Sequence, residues 1–364
     1  MKTKNRIYMH RHSGFSLIEI MVGLLIGMLG IIVMMQVYAL SEERKRTTTA
    51  GSDAQNNAVI ALDAIQRNIS RSGHGFANTR LMGCNLQLPN GSPIPFAPVI
   101  INPAAAVIPA GDTNTDTLLV SYGNGDDQPD GYSVNNQSGS TYTITGTGML
   151  KQNDRVIASP ATCGATTLVL ATVQSVAASV IQLSNSQAGT ALYNLGGTPR
   201  FLAYAVRSGN LTVCDYMASN CGDASKTSDQ AIWRPIVSNV VSLRAQYGLD
   251  TTGVMDGVVD TYNQTTPTTA CGWARTSAIR FALVARSAQF EKRDSNGNGV
   301  TMAAPRWAAT NSDNPPGSGS IATPIDLSVN ALPVQSEWQQ YRYRVFETTA
   351  PIRNVAWMGA ITGC

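Results

Sequence analysis

The chain has few charged residues and few histidines, and its first cysteine is Cys84. Only 13% of its 364 residues are charged, and three are histidines. A broad basic surface for nucleic acid is therefore not indicated. No Cys-x-x-Cys pair occurs, and His74 is the only histidine beyond Met1–Gly14, which argues against a zinc site. His74 stands in a helix-ending turn, and no nucleophile-and-base pattern is present, so no catalytic residues are predicted and the chain is not expected to be an enzyme.

A long apolar run near the N-terminus is the main feature that the chain does have. Phe15–Leu40 contains no proline and, as a helix at about 1.5 Å per residue, would cover roughly 39 Å. That length crosses a hydrocarbon core of about 30 Å. A cleaved secretory signal has a shorter apolar core, of about 7–15 residues. A plain membrane anchor fits the length but gives no reason for the acid Glu19 within the run.

The residues around Glu19 carry a recognisable pattern. Met1–Gly14 holds four basic residues and no acid, and the string Gly14-Phe15-Ser16-Leu17-Ile18-Glu19 follows directly. An ionised side chain in a membrane span is rare and usually functional. This leader, junction and acid together resemble the N-terminus of type IV prepilins. The resemblance implies cleavage after Gly14 by a prepilin peptidase, N-methylation of Phe15, and pairing of Glu19 with the N-terminal amine of a neighbouring subunit.

The same helix is expected to continue beyond the membrane. Ala58, Leu62, Ile65 and Ile69 recur at helical spacing, and the turn at Gly73 ends the pattern. Within the span, Gly23 and Gly27 form a Gly-x-x-x-Gly pair that lets neighbouring helices approach closely, although ordinary membrane-helix composition explains them equally well. The predicted organisation is a leader at 1–14, a transmembrane half-helix at 15–40, an amphipathic half at 41–72 and a globular domain at 73–364.

The globular part reads as strands separated by polar loops. Three segments alternate between apolar and polar residues: Val237–Tyr247, Ser277–Arg286 and Tyr341–Val345. In the first, Val237, Val241 and Leu243 are expected on one face. The three segments are predicted to form one antiparallel sheet packed on the helix, which gives an α+β, pilin-like fold class. Shorter strands are predicted at 117–122, 141–145, 167–173, 179–183 and 199–206, and long loops at 90–111 and 310–323.

Six cysteines lie beyond the span, which indicates disulfides in an exported chain. Six cysteines allow 15 connectivities. The short separation favours Cys214–Cys221, and Cys84–Cys163 and Cys271–Cys364 complete the predicted set.

The C-terminal strands extend the resemblance to a family. Asn239–Gly248, Ala278–Ser287 and Tyr341–Asn354, together with the leader, resemble the PilW family of type IV pilus minor pilins. The resemblance implies partners among other minor pilins, the major pilin, a tip-associated protein and the inner-membrane assembly platform. It also implies an inner-membrane protein of a Gram-negative bacterium whose globular domain lies in the periplasm and then in the pilus, at its tip.

Two Asp- and Asn-rich loops leave calcium open as a cofactor. Asp294, Asn296 and Asn298 match the start of a calcium loop, but Pro305 stands where a bidentate acid is expected. Asp250, Asp256 and Asp260 have irregular spacing. Turns built by Asp, Asn and Gly explain both loops without any ion, so the prediction is no cofactor, with calcium as the alternative.

The resemblance implies a minor pilin that primes or promotes pilus assembly, and two other functions stay open as alternatives. Residues 81–231 carry no signature, and a tip-displayed module could use them to bind a surface or DNA. A type II secretion pseudopilin would share the leader. Removing the leader takes away four basic residues and changes the formal net charge from +3 to −1, which argues against general attraction to nucleic acid.

Overall fold

The computed structural model describes residues 14, 16–125, 130–146, 148–162, 164, 166–288, 301–307, 323–328 and 335–364. It divides into two compact units, Met1–Ala50 and Gly51–Cys364. The helices are α1 Leu17–Arg71, α2 Ala270–Ala274 and α3 Arg353–Ala356, with 3-10 turns at Ala224–Lys226 and Gln335–Gln340. The first ten strands are β1 Cys84–Gln87, β2 Ile94–Phe96, β3 Val99–Ile101, β4 Leu118–Tyr122, β5 Tyr132–Ser138, β6 Thr141–Ile144, β7 Arg155–Ser159, β8 Thr167–Ala177, β9 Val180–Leu183 and β10 Ala191–Gly196. The others are β11 Arg200–Arg207, β12 Asn210–Asp215, β13 Arg234–Ser238, β14 Val240–Leu249, β15 Thr261–Asn263, β16 Thr276–Arg286, β17 Arg306–Trp307, β18 Thr323–Pro324 and β19 Tyr343–Pro351.

The first unit consists of the N-terminal part of α1. Its segment Leu17–Ala39 has a mean hydropathy of 2.6 and is long and apolar enough to cross a membrane. None of this segment is buried within the protein. Leu, Ile and Met favour the helix, and no proline interrupts it. A helix that is apolar all round requires lipid or other helices around it.

The second unit begins with the polar part of α1. Ala58, Ala61, Ile65 and Ile69 are fully buried, at spacings of three or four residues. Leu62, predicted on the buried face, is only half-buried and packs at its margin. The apolar face of this half-helix enters the main core of the unit, as the sequence pattern indicates.

A four-stranded antiparallel sheet, ordered β15-β14-β16-β19, packs on this half-helix. Its three long strands are those predicted from alternation, so the α+β class with antiparallel sheets is confirmed. One detail was wrong. Val237 belongs to β13, and the pairing of β14 with β16 shifts between Val240 and Ser242. The bulge places Val241 in a separate cluster with Trp307, while Leu243 faces the main core.

A five-stranded antiparallel sheet, ordered β13-β12-β11-β4-β3, shares the same main core. The long loop predicted at 90–111 was partly wrong, because β2 and β3 lie within it. Both are three-residue strands at the end of a sheet. The prolines around them indicated a loop, because proline disfavours a strand. Proline is tolerated on edge strands, and both strands are of that kind. Of the loop predicted at 310–323, residues 310–322 lie outside the described residues.

The six consecutive strands β5–β10 form a closed barrel. They run β8-β7-β10-β5-β6-β9, and β9 pairs back with β8. The amide of Val173 in β8 donates to Asp154 on the β7 side, whereas the amide of Ser184 donates to the carbonyl of Thr172 from the β9 side. The two neighbours of β8 therefore lie on its opposite edges, which closes the ring.

The barrel has a hydrophobic core of its own. Tyr142, Val156, Val173, Ile181 and Leu192 are fully buried in a cluster separate from the main core. Strand β1 attaches the barrel to the rest of the unit by pairing in parallel with β8. The stretch without a sequence signature thus contains a closed barrel with an inner core of its own, while Ile157, Leu168 and Tyr193 on its strands contribute to the main core.

Candidate assembly site

The N-terminal end of α1 carries the predicted processing and pairing residues. Gly14 is exposed, and Phe15 lies outside the described residues. The carbonyl of Ser16 accepts hydrogen bonds from the amides of Glu19 at 3.0 Å and Ile20 at 3.1 Å. Glu19 is therefore in the first turn of α1, where the helix dipole favours a negative charge.

Glu19 is the only charged residue in the span Leu17–Ala39. Its side chain and those around it are exposed in the single chain. The helix surface is also open at Gly23 and Gly27, where an added Cβ would meet no atom within 4 Å. The segment thus combines one acid with an uncovered apolar surface and small residues, which suits packing against other membrane helices.

The polar end of α1 is fastened to the domain by hydrogen bonds. The Asn354 Nδ2 atom, in α3, donates to the carbonyls of Arg71 at 3.0 Å and Ser72 at 2.9 Å. These are the last carbonyls of a helix, which have no partner within it. Gly73 follows with φ +80°, which ends the helix. Asn354 lies in the segment Tyr341–Asn354 that resembles the family, but the sequence alone does not predict its contact with the end of α1.

One turn earlier, Asn68 joins α1 to the five-stranded sheet. Its Nδ2 donates to the Tyr204 hydroxyl at 2.6 Å, and its Oδ1 accepts from the Tyr122 hydroxyl at 2.9 Å. Burial raises the pKa of both tyrosines, so both hydroxyls stay protonated, and here that of Tyr122 donates while that of Tyr204 accepts. Asn68, Tyr122 and Tyr204 line a groove of about 550 Å³ beside α1.

Disulfides tie the domain together at positions that the sequence indicated. Cys214 bonds to Cys221, and Cys271 bonds to Cys364, two of the three predicted pairs. Cys84 is also in a disulfide. Its predicted partner, Cys163, lies outside the described residues.

The Asp250 loop is organised by backbone amides and an arginine. The buried Asp250 carboxylate accepts from the amides of Asp256 at 2.8 Å and Gly257 at 2.9 Å, and it lies 3.2 Å from Arg275 Nη1. Asp260 accepts from the amide of Thr251 at 2.6 Å. Among the described residues, no three His, Cys, Asp or Glu side chains are grouped to hold a metal.

This geometry matches the turn interpretation of the loop, and calcium binding there stays the untested alternative. The second predicted loop, with Asp294, Asn296 and Asn298, lies outside the described residues. His74 is hydrogen-bonded through Nε2 to the carbonyl of Gly125 at 2.7 Å. Its ring therefore braces a turn, the structural role that its place at the helix end suggested.

Arg275 connects the Asp250 loop to the C-terminal segment. Its Nε donates to the Cys364 carbonyl at 2.9 Å, and its Nη1 and Nη2 donate to the carbonyls of Thr252 at 2.8 Å and Gly253 at 3.2 Å. Together with the Cys271–Cys364 disulfide, this arginine fixes the C-terminal segment to the four-stranded sheet. No sequence signal pointed to this role.

Comparison with protein-family models shows which families this chain is similar to. Residues 9–35 match the prokaryotic N-terminal methylation motif, and residues 203–354 match the model of type IV pilus-assembly protein W. These two matches support a PilW-family pilin. No curated protein and no solved structure gives a significant match.

The two matches coincide with the parts of this pilin described above. The first covers Glu19 and most of the span, and the second runs from β11 through β19 and ends at Asn354. The barrel lies between them, outside both matches. Most of the membrane span, the four-stranded sheet and Asn354 therefore lie in the matched parts.

Proposed function

We propose that this PilW-family pilin is a minor pilin that primes or promotes assembly of a type IV pilus. Its role is structural and not catalytic. The observation that carries the proposal is the lone acid Glu19 in the first turn of α1, within the otherwise uncharged and uncovered segment Leu17–Ala39. A carboxylate in lipid is costly, and a neighbouring N-terminal amine offsets that cost. Any slip between helices would leave both charges unpaired, so the pair sets the register of insertion.

The same reasoning gives the proposed partners and location. A prepilin peptidase cleaves after Gly14, and the inner-membrane platform then inserts the helix among other minor pilins, the major pilin and a tip-associated protein. Before assembly the globular unit lies in the periplasm of a Gram-negative cell, and afterwards in the pilus near its tip. The family matches support association with pilus components in general, and these individual partners are part of the proposal.

Replacement of Glu19 tests the proposal. We expect Glu19→Gln to lower the number of surface fibres in a deletion strain by about tenfold or more, because removing one partner of a charge pair in a low-dielectric setting costs several kcal/mol. Fibres are counted by electron microscopy after complementation, and immunoblotting of membranes checks expression.

The matched control is Asp63→Asn, which also removes one carboxylate from α1. Asp63 pairs with Arg67 at 2.6 Å, but both side chains are more than half exposed. Exposed helix pairs contribute about 0.5 kcal/mol or less, so this variant should assemble normally. Normal fibre numbers with Glu19→Gln would refute the pairing mechanism.

A second candidate function is suggested by the barrel. Strands β5–β10 form a closed element with its own core, outside both family matches. Such an element fits a displayed module that binds a surface. The type II secretion pseudopilin alternative receives less support, because the second match is to a pilus-assembly protein. Deleting the barrel separates the two roles: assembly without attachment would favour a binding module.

A further inference from the structure

The outer edge of β19 differs from every other sheet edge in the described part of the chain. The end strands β2, β3 and β15 have three residues each, and β13 has five, including Pro235. The barrel has no free edge at all. Short strands, prolines and closure are the usual protection against unwanted strand pairing. Strand β19 has nine residues, and its proline, Pro351, stands at the very end.

The register shows which groups of β19 face outward. Its residues pair with β16 without interruption from Pro351 to Tyr343. The amide of Ile352 donates to Ser277, and the amide of Ser287 donates to the carbonyl of Arg342. Even-numbered residues therefore bond inward, and odd-numbered residues direct their backbone groups outward.

Three of these outward positions, on either side of Glu347, are open, whereas Glu347 itself has an interaction partner. In the described part of the chain, no hydrogen-bond partner lies on the outer side of Tyr343, Val345 or Thr349. Alternate unpaired amides and carbonyls along an extended strand form a template for a further strand.

The edge also lies beside the helix that takes part in assembly. Phe346 of β19 packs with Ala58 of α1 and with Ala285. The next residues of the helix, Val59 and Ile60, are apolar and remain 52% and 59% exposed. A subunit that packs its helix against this part of α1 would bring its own globular domain close to the β19 edge.

From this we propose that the outer edge of β19 binds an extended segment of a neighbouring pilin subunit as an added strand. This inference rests on the proposed assembly function and names a contact through which it operates. Arg344 is exposed on β19 and has no ion pair within the described residues. A partner strand with an acidic side chain would complement it, whereas a second copy of β19 would add another arginine. The partner is therefore a different pilin.

Proline at an outward position tests the contact. Thr349→Pro removes one outward amide and places a ring on the edge, while the inward bonds to β16 remain. Full-length tagged chain is co-expressed with the major and minor pilins of the same organism and purified in detergent. We expect co-purified pilin to fall by about tenfold, as the loss of roughly 1.4 kcal/mol predicts for one blocked backbone bond. Thr349→Ala keeps the amide and should co-purify as the wild type does.

Hydrogen exchange of the same complex provides a readout that does not depend on a variant. Amides of Val345 and Thr349 should exchange quickly in the isolated chain and become protected in the complex, while those of Phe346 and Thr348 are protected in both. Unchanged exchange at Val345 and Thr349, or equal co-purification of Thr349→Pro and Thr349→Ala, would overturn the inference. Protection only by a second copy of this chain, or only by the tip-associated protein, would overturn it as well.

The outcomes separate this inference from the proposed function. If Thr349→Pro binds and assembles normally while Glu19→Gln does not, the strand contact is wrong and the assembly role stands. If both variants assemble normally, both proposals fall.

Discussion

At the scale of single residues, Arg275 contributes most to holding the C-terminal segment in place. Its guanidinium donates hydrogen bonds to two loop carbonyls and to the carbonyl of Cys364, and it pairs with the buried Asp250 carboxylate. The Asp250 side chain is fully buried, and that of Arg275 is 18% exposed. Removing the arginine would leave the buried carboxylate with two amides and the Thr252 hydroxyl but without a counter-charge, which is the costly way to break an ion pair.

We therefore predict that Arg275→Gln destabilises the protein by about 3 kcal/mol. The measurement is chemical denaturation of the full-length chain in detergent, with unfolding monitored by tryptophan fluorescence. Arg67→Gln is the matched control, because its pair with Asp63 is exposed on the helix and should contribute at most about 0.5 kcal/mol. Equal effects of the two substitutions on the free energy of unfolding would contradict the proposed role of Arg275 in stabilising the C-terminal segment.

The residue scale also shows how far sequence reasoning reached. The position of Glu19 in a helix turn follows from its place in a motif, and the pairing of Cys214 with Cys221 follows from their short separation. The partners of Arg275 and Asn354 do not, because each bonds residues that are distant in sequence and meet only after the sheets form. Val241 was misplaced for a similar reason, since a single bulge reverses which side chains face the core.

At the scale of elements, the long periodic segments were predictable, and the five shorter predicted strands are confirmed as β4, β6, β8, β9 and β11, but the pairing of the short strands was not predictable. The helix, β14, β16 and β19 each carry enough residues for a period to show. Most barrel strands are short, and their pairing depends on closure, which no single strand encodes. β6 and β9 have four residues each, and both were expected as strands, but nothing in the sequence indicated that they meet. The polar, weakly charged sequence of this region gave no signature because its core is small.

The separate core of the barrel leads to a prediction about local stability. Leu192 is fully buried there, so Leu192→Ala should cost about 3 kcal/mol. We expect the largest increase in hydrogen exchange in β5, β6 and β9, whose buried side chains lie only in the barrel core, with unchanged protection in β14 and β16, because regions with separate cores open independently. Leu283→Ala, at a fully buried position of the main core, is the control and should affect the four-stranded sheet. Exchange that rises throughout the domain after Leu192→Ala would show that barrel and main core unfold together.

At the scale of the whole molecule, two disulfides constrain the chain over very different lengths. Cys271–Cys364 closes a separation of 93 residues that contains β16, β19 and α3, whereas Cys214–Cys221 closes a separation of seven. A cross-link stabilises mainly by limiting the unfolded chain, and the effect grows with the length of the closed loop. The C-terminal disulfide should therefore matter more for the fold than the internal one, although it lies at the periphery.

We predict that the double substitution Cys271→Ala and Cys364→Ala costs about 4–5 kcal/mol, against about 2–3 kcal/mol for Cys214→Ala and Cys221→Ala. The internal pair is the matched control, since both double variants lose two sulfurs and one bond. Denaturation midpoints of the two full-length variants give the comparison. The internal pair is also the more buried, so its loss removes some packing and narrows the difference. If the internal pair nevertheless proves the costlier, local packing rather than loop closure controls the stability of this domain.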